Sequence, residues 1–104
     1  MASYEFENFI SQVEKGYFEG GPYSESIVKE DLQTRRASDI YSTVGSAGTN
    51  RLREKKEFYV KNFNEILENI EYVMDKEKAD HSFLSKCVKC KNQLNKLLAV
   101  VRNF

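Results

Sequence analysis

The sequence predicts an all-α protein, a four-helix bundle-like fold in which two short N-terminal helices pack on a long antiparallel helical hairpin. From Asn50 to Phe104, apolar residues recur every three, four or seven positions without a glycine or proline, as in helices that bury one narrow stripe. Apolar residues make up 40% of the chain and charged residues 31%, which favours elongated helices or an oligomer over a compact globule. We therefore treat residues 1–104 as a single helical domain.

The first predicted helix covers residues 3–18. Ser3 is suited to its N-terminus, because a serine oxygen accepts hydrogen bonds from the free amides of the first turn. The apolar positions share one face at helical spacing: Phe6, Phe9, Ile10, Val13 and Tyr17. Gly20, Gly21 and Pro22 cannot continue a helix, so the first helix ends before them. We expect this aromatic-rich arm to pack on the rest of the bundle, since each ring buries a large apolar area.

The second predicted helix covers residues 24–44, with Ser24 or Ser26 at its N-terminus. Its apolar stripe is weaker than the others and is interrupted by four polar residues, 33–36. The sequence therefore leaves two alternatives open, one loosely held helix or two short helices. Residues 45–49, Gly-Ser-Ala-Gly-Thr, form the clearest predicted loop, and Thr49 or Asn50 is expected to cap the helix that follows.

The predicted hairpin consists of helices 50–77 and 81–104. A turn between them is indicated because the apolar stripe shifts to a different position round the helix. Continued in steps of seven residues, the row through Phe63 does not coincide with the row through Phe83. Asp80 is also suited to cap a new helix. One continuous helix of more than fifty residues is the alternative, and a helix of that length would need a partner chain to cover its apolar stripe.

Charge is distributed unevenly along a chain whose formal net charge is zero. Residues 1–31 contain seven acids and two lysines, whereas residues 81–104 contain five basic residues and no acid. The simplest interpretation is that the acidic N-terminal part folds against the basic C-terminal helix. The alternative is that the basic helix binds an acidic partner.

Two features have the appearance of binding sites. Cys87 and Cys90 resemble a metal or redox pair, but both fall on the apolar stripe in mid-helix and a zinc site needs further ligands, so we predict free core cysteines, no metal and no cofactor. The loop from Gly45 to Gly48 precedes a basic helix start that could bind phosphate or nucleic acid. Its candidate anion contacts are Arg35, Arg36, Arg51, Arg53, Lys55 and Lys56.

A short motif around Ser38 matches the minimal pattern read by basophilic kinases, Arg35-Arg36-Ala37-Ser38. Such four-residue matches arise often by chance. Because Ser38 lies inside a predicted helix, we expect it to be poorly presented to an enzyme.

The chain lacks a recognisable catalytic set, with one histidine, no tryptophan and no nucleophile beside a base, so we predict that it is not an enzyme. We expect a small protein–protein interaction module (an adaptor, an assembly subunit or an inhibitor) that acts through a helical face and forms a homodimer. The predicted interface residues, which are equally suited to the core of a monomer, are Tyr59, Phe63, Ile66, Ile70, Leu94, Leu97 and Val101. The alternative function is nucleic-acid binding through the basic patch. We expect a cytoplasmic protein, since no apolar run is long enough to span a bilayer and the first residues do not resemble a signal peptide.

Overall fold

The computed structural model describes residues 2–41 and 50–104, which form four α-helices and no strand. The helices are α1 (Tyr4–Tyr17), α2 (Glu25–Tyr41), α3 (Arg51–Lys76) and α4 (His81–Asn103). They form an elongated bundle of 57 × 23 × 21 Å. The predicted all-α, bundle-like fold is therefore confirmed.

Helices α3 and α4 form an antiparallel hairpin, so the alternative of one continuous helix is wrong. The amide of Glu77 donates to the carbonyl of Val73 at 3.0 Å and closes α3. Asp80 starts α4 as predicted, because its Oδ1 accepts a hydrogen bond from the amide of Phe83 at 3.0 Å. This hydrogen bond lowers the pKa of Asp80.

Helices α1 and α2 lie one after the other along the same side of the hairpin. The start of α1 is held at the hairpin turn, where the amide of Ala2 donates to Asp80 Oδ2 at 2.8 Å. The end of α2 lies at the opposite, open end of the hairpin, where Asp39 bonds the first amides of α3. The two short helices therefore act together as a third rod, broken near its middle and antiparallel to α3.

The break between α1 and α2 is a tight turn that requires glycine. Gly20 has a φ of +90°, a conformation that residues with a Cβ rarely adopt. Gly21 packs against the end of α1, where an added Cβ would lie 2.5 Å from the carbonyl oxygen of Gly16 and also against that of Lys15. After this turn the chain folds back against the end of α1, where the amide of Tyr23 donates a hydrogen bond to the carbonyl of Gly16 at 2.8 Å.

The start of α1 agrees with the sequence prediction, whereas α2 differs from it in detail. Ser3 Oγ caps α1 by accepting from the amide of Phe6 at 3.3 Å, as predicted. Ser24 precedes α2, but its buried hydroxyl has no hydrogen-bond partner. Helix α2 is continuous through its polar stretch and is described as far as Tyr41, and the predicted end at residue 44 lies outside the described residues. Of the two alternatives for this segment, the structure has the single helix.

The hydrophobic core follows the inner seam of the three rods. Its fully buried large side chains are Phe63, Phe83, Ile10, Leu32, Ile70, Leu94, Leu97, Val28, Val101, Cys87 and Cys90. At the level of the break, Tyr17 stacks on Tyr23 with a centroid distance of 5.1 Å, and Tyr59 stacks on Phe63 at 5.6 Å. The N-terminal arm is therefore packed on the bundle, as predicted.

The two glycines at the end of α1 provide a matched stability test. We expect Gly21→Ala to destabilise the chain by about 1–3 kcal/mol, because the clashing atoms are backbone carbonyls that cannot move without distorting α1. Gly16→Ala meets nothing within 4 Å and lies inside α1, so it should stabilise by about 0.5–1 kcal/mol. Urea unfolding of both variants measures the difference. Equal stability of the two variants would contradict the packing described for this turn.

Candidate interaction surface

The seven predicted interface residues lie mostly inside the single chain. Six of them are buried with at most 4% of their surface exposed, and Ile66 is half-buried. The six are Tyr59, Phe63, Ile70, Leu94, Leu97 and Val101. These side chains therefore form the core of the monomer, which was the other interpretation of the same pattern.

A neighbouring apolar row remains partly open to solvent on the far side of the hairpin. On α3 it consists of Val60, Leu67 and Met74, each half-buried and spaced by seven residues. On α4 the same side carries half-buried Leu84, exposed Val88, buried Leu98 and the partly buried Lys91, which interrupts the apolar row. We call these seven residues the hairpin face. The sequence analysis missed them as a site, although the seven-residue spacing of the α3 row was an available signal.

The hairpin face points away from the rod formed by α1 and α2. Helix α4 meets that rod through its other side, where Gln93 donates to the carbonyl of Tyr17 at 2.9 Å and Lys96 pairs with Glu25 at 3.6 Å. Lys91 is two residues from Gln93, so the two side chains point about 160° apart on a helix with 3.6 residues per turn. Lys91 pairs instead with Glu71 of α3, with an Nζ to Oε1 distance of 3.2 Å. None of the described helices other than α3 and α4 therefore supports this face.

The most exposed part of the hairpin face lies on α4, where Val88 has 44% of its surface exposed. On α3, Val60 lines a shallow, largely apolar cavity of about 490 Å³. The remaining lining residues are Leu52, Arg53, Lys56, Glu57 and Lys61. Apolar surface thus extends along α3 toward the open end of the hairpin.

The two helices of the hairpin differ in charge. Helix α3, residues 51–76, contains six acids and six basic residues, a balance of zero. Residues 81–104, which contain α4, carry five basic residues and no acid. Part of the basic charge of α4 is used within the chain, because Lys86 pairs with Glu7 of α1 at 3.6 Å. The predicted pairing of the acidic N-terminal part with the C-terminal helix is therefore present.

The six candidate anion contacts do not form a free basic patch. Arg35 pairs with Asp31 at 3.0 Å, and Arg53 pairs with Glu57 at 3.7 Å. Arg36 donates to the carbonyl of Phe104 and its guanidinium lies over the Phe104 ring. The other three are accounted for as follows: Arg51 contacts Ser38, Lys55 lies over the rings of Phe58 and Tyr59, and Lys56 lines the α3 cavity.

The predicted anion site at the start of α3 is already occupied by a side chain of this protein. Asp39 of α2 accepts hydrogen bonds from the amides of Arg51 at 3.1 Å and Leu52 at 3.0 Å. Its carboxylate therefore caps α3 from another helix and meets the positive end of the helix dipole. Asn50, a predicted cap, makes no such bond with its side chain. Thr49 and the glycine loop at 45–48 lie outside the described residues.

A partly buried polar contact joins α2 to α3 in the same region. The hydroxyl of Tyr59 donates to Asp31 Oδ2 at 2.5 Å. Burial and this bond to a carboxylate raise the pKa of Tyr59. Burial opposes the charge of Asp31, but hydrogen bonds from Tyr59 and Arg35 outweigh that effect and lower the pKa of Asp31. The contact holds α2 on α3 between the two ends of the rod. It also leaves Arg35 paired with Asp31, a carboxylate that already binds Tyr59.

The two cysteines are free and buried, as predicted. Burial raises the pKa of Cys87 to about 11 and that of Cys90 to about 12, so both remain thiols at neutral pH. Among the described residues, no group of three or more histidine, cysteine or acidic side chains is placed to hold a metal ion. The arrangement therefore favours packing over redox or metal chemistry for this pair.

Comparison of the chain with protein-family models, curated protein sequences and solved structures finds no match. Within the described ranges, no helix combines the length and apolarity required to cross a membrane.

The capping role of Asp39 predicts a local and measurable stability effect. We expect Asp39→Ala to destabilise the chain by about 1 kcal/mol, because two amides at the start of α3 lose their acceptor. Asn50→Ala is the matched control and should change the free energy of unfolding by less than about 0.5 kcal/mol. Equal losses from the two substitutions in urea unfolding would show that Asp39 is not the cap.

The buried thiols predict both low reactivity and a loss of stability at alkaline pH. Near pH 8 we expect a thiol reagent to label native protein slowly and denatured protein rapidly. Unfolded cysteine ionises near pH 8.5, whereas the folded pKa values are about 11 and 12. The folded state thus retains protons that the unfolded state loses, and stability falls as pH rises above about 8.5. A Cys87→Ala, Cys90→Ala double variant should flatten this part of the pH profile of the melting temperature. An unchanged profile would contradict the assignment.

Proposed function

We propose that this protein is a small noncatalytic protein–protein interaction module, of the adaptor, assembly-subunit or inhibitor kind, whose hairpin face binds an amphipathic helix. The observation that carries the proposal is that α1 and α2 cover one side of the α3–α4 hairpin while the other side keeps a row that is apolar except for Lys91. Two adjacent helices with apolar rows at seven-residue spacing form a groove that accepts a further helix.

The length of the hairpin face suits a helical ligand. Leu67 and its row neighbours on α3, Val60 and Met74, span about 21 Å at a rise of 1.5 Å per residue. A partner helix of about four turns would cover this length. Burial of apolar surface contributes about 25 cal/mol of favourable free energy per Å² removed from water. Because the α3 side chains of the hairpin face are half-buried in the free chain, their exposed surface would contribute to the free energy of binding.

The noncatalytic part of the proposal is supported by the use of the polar groups. Each of the four carboxylates with a lowered pKa binds a partner within the chain. Asp31 binds Tyr59 and Asp80 binds the start of α4. Glu25 and Asp75 bind Lys29 and Lys78. The most nucleophilic residue type, cysteine, is buried as the neutral thiol. The free thiols also support a reducing, cytoplasmic setting for the module.

Nucleic-acid binding is not favoured as a second function. Five of the six candidate side chains have a partner within the chain, and the start of α3 is capped by Asp39. The formal net charge of zero provides no general attraction to phosphate. Early elution from a heparin column at low salt is the corresponding expectation.

The proposed surface is testable by position-resolved photo-crosslinking in the cells that express the chain. The photoreactive residue p-benzoylphenylalanine would replace Val88 on the hairpin face, or Ile27 on α2, which packs on the other side of the hairpin. Both are exposed apolar positions within a helix, with 44% and 45% of their surface exposed, so Ile27 is a matched control. We expect a discrete protein adduct from position 88 and none from position 27, and we expect Met74→Glu to reduce the adduct at least tenfold.

Circular dichroism of each variant tests whether the helices and the cooperative unfolding transition are retained. Absence of an adduct at position 88 in a folded variant would refute the proposed surface. Equal adducts at both positions, or an adduct that Met74→Glu does not affect, would also refute it.

A further inference from the structure

We propose that Ser38 of α2 is a phosphorylation site of a basophilic protein kinase, and that Arg51 of α3 holds the phosphate once it is attached. The site lies outside the hairpin face and does not depend on the proposed function. Three observations carry the proposal: the two arginines before Ser38, the weak packing of α2 around it, and a guanidinium that already bonds its hydroxyl.

The residues before Ser38 carry the charge that a basophilic kinase recognises. Arg35 and Arg36 lie three and two residues before the acceptor hydroxyl, where such enzymes bind guanidinium groups with carboxylates. In the folded chain Arg35 pairs with Asp31 at 3.0 Å, and Arg36 contacts Phe104. Both arginines are only partly buried. Partly exposed ion pairs contribute little stability, so the carboxylates of an enzyme can replace these internal partners.

The part of α2 that carries Ser38 is packed weakly enough to open locally. Ser38 lies inside the helix, as predicted, and the helix must unwind there before an enzyme can bind the segment in an extended form. The fully buried side chains of α2 are Val28 and Leu32, whereas none is fully buried from residue 33 to residue 40. Segments with few buried apolar contacts open at a lower free energy than the whole chain. Unwinding around Ser38 therefore leaves the core intact.

The structure already provides a partner for a phosphate on Ser38. Nη1 of Arg51 donates a hydrogen bond to Ser38 Oγ at 2.8 Å, across the junction of α2 and α3. Phosphorylation would place about −1.5 to −2 charges and three strong acceptor oxygens within reach of this guanidinium. Guanidinium groups bind phosphate through two parallel hydrogen bonds. Arg51 is also the first residue of α3, where the helix dipole favours an anion.

The nearest like charge uses other donors at the same helix start. Asp39 follows Ser38 in the chain, and its carboxylate accepts from the amides of Arg51 and Leu52 at 3.1 and 3.0 Å. The phosphate would use the guanidinium, so the two anions do not compete for one donor. A negative charge in the last described turn of α2 is unfavourable for that helix, but this effect acts without a direct contact. We therefore expect phosphorylation to fasten α2 to α3.

The modification is a phosphoryl transfer in which this chain is the substrate. Ser38 Oγ attacks the γ-phosphorus of ATP and forms a new oxygen–phosphorus bond. The bond from that phosphorus to the oxygen bridging the β- and γ-phosphates breaks, and ADP leaves. The hydroxyl proton passes to a carboxylate of the kinase.

The site is tested by incubating the folded chain with Mg²⁺, ATP and a purified kinase that requires arginines two and three residues before its acceptor. Mass spectrometry should find one phosphate, located at Ser38, and none on the Ser38→Ala variant. An Arg35→Ala, Arg36→Ala double variant should be modified at least tenfold more slowly. Because loosening of α2 would raise the rate, a fall reports the loss of recognition.

The role of Arg51 is tested on the modified protein by thermal unfolding, followed by circular dichroism. Phosphorylation should raise the melting temperature of the native chain by about 4 °C or more. The Arg51→Ala variant keeps both recognition arginines, so it should be phosphorylated without this rise. Arg53→Ala is the matched control and should keep the rise, since Arg53 lies at the same helix start but pairs with Glu57 at 3.7 Å.

The two measurements separate the parts of the proposal and leave the proposed function to its own test. A folded native chain that takes up no phosphate at Ser38, or takes it up equally fast without the two arginines, overturns the phosphorylation site. A melting temperature that falls on phosphorylation, or a rise that survives Arg51→Ala, overturns the assignment of Arg51 as the phosphate partner. Neither result changes the adduct expected from position 88 on the hairpin face.

Discussion

A helical hairpin has two sides, and residues 2–41 and 50–104 supply one further rod to cover them. The α3–α4 seam buries Phe63, Ile70, Leu94 and Leu97 almost completely, but only with help from the rod formed by α1 and α2. On α3 the row next to the seam, on the other side, stays half-buried. One rod can cover one side of the hairpin and leaves the other side open to solvent. The core and the short helices therefore lie on the covered side, and the candidate surface lies on the open side.

The position of the rod is set at its two ends by carboxylates that bond backbone amides. Asp80 caps α4 and also accepts a hydrogen bond from the amide of Ala2, so the start of α1 is held at the turn. Asp39 caps α3 from α2 and holds the other end. Each carboxylate satisfies helix amides that would otherwise lack partners. The same contact at Asp39 also removes the feature that made the start of α3 resemble a phosphate site.

The candidate surface shows where sequence periodicity reaches its limit. The rows through Phe63 and Val60 are both apolar at seven-residue spacing, and they are separated by less than a third of a turn on α3. Periodicity shows that both rows lie toward one side of the helix, but it does not show which of them is more buried. Burial depends on which side of the hairpin the rod formed by α1 and α2 covers. In the structure, most residues predicted for an interface therefore lie in the core, and the neighbouring row forms the candidate surface.

The sequence by itself determined the helices, the turn after α3 and the break after α1, because caps, glycines and apolar spacing act over a few residues. Ser3, Asp80 and Gly21 are examples whose roles depend on near neighbours along the chain. Only the tertiary structure decided that α1 and α2 lie end to end on one side, and that Asp39 caps a helix beginning twelve residues later. Contacts of that kind join distant segments, and their partners are set by packing of the whole bundle rather than by local preference.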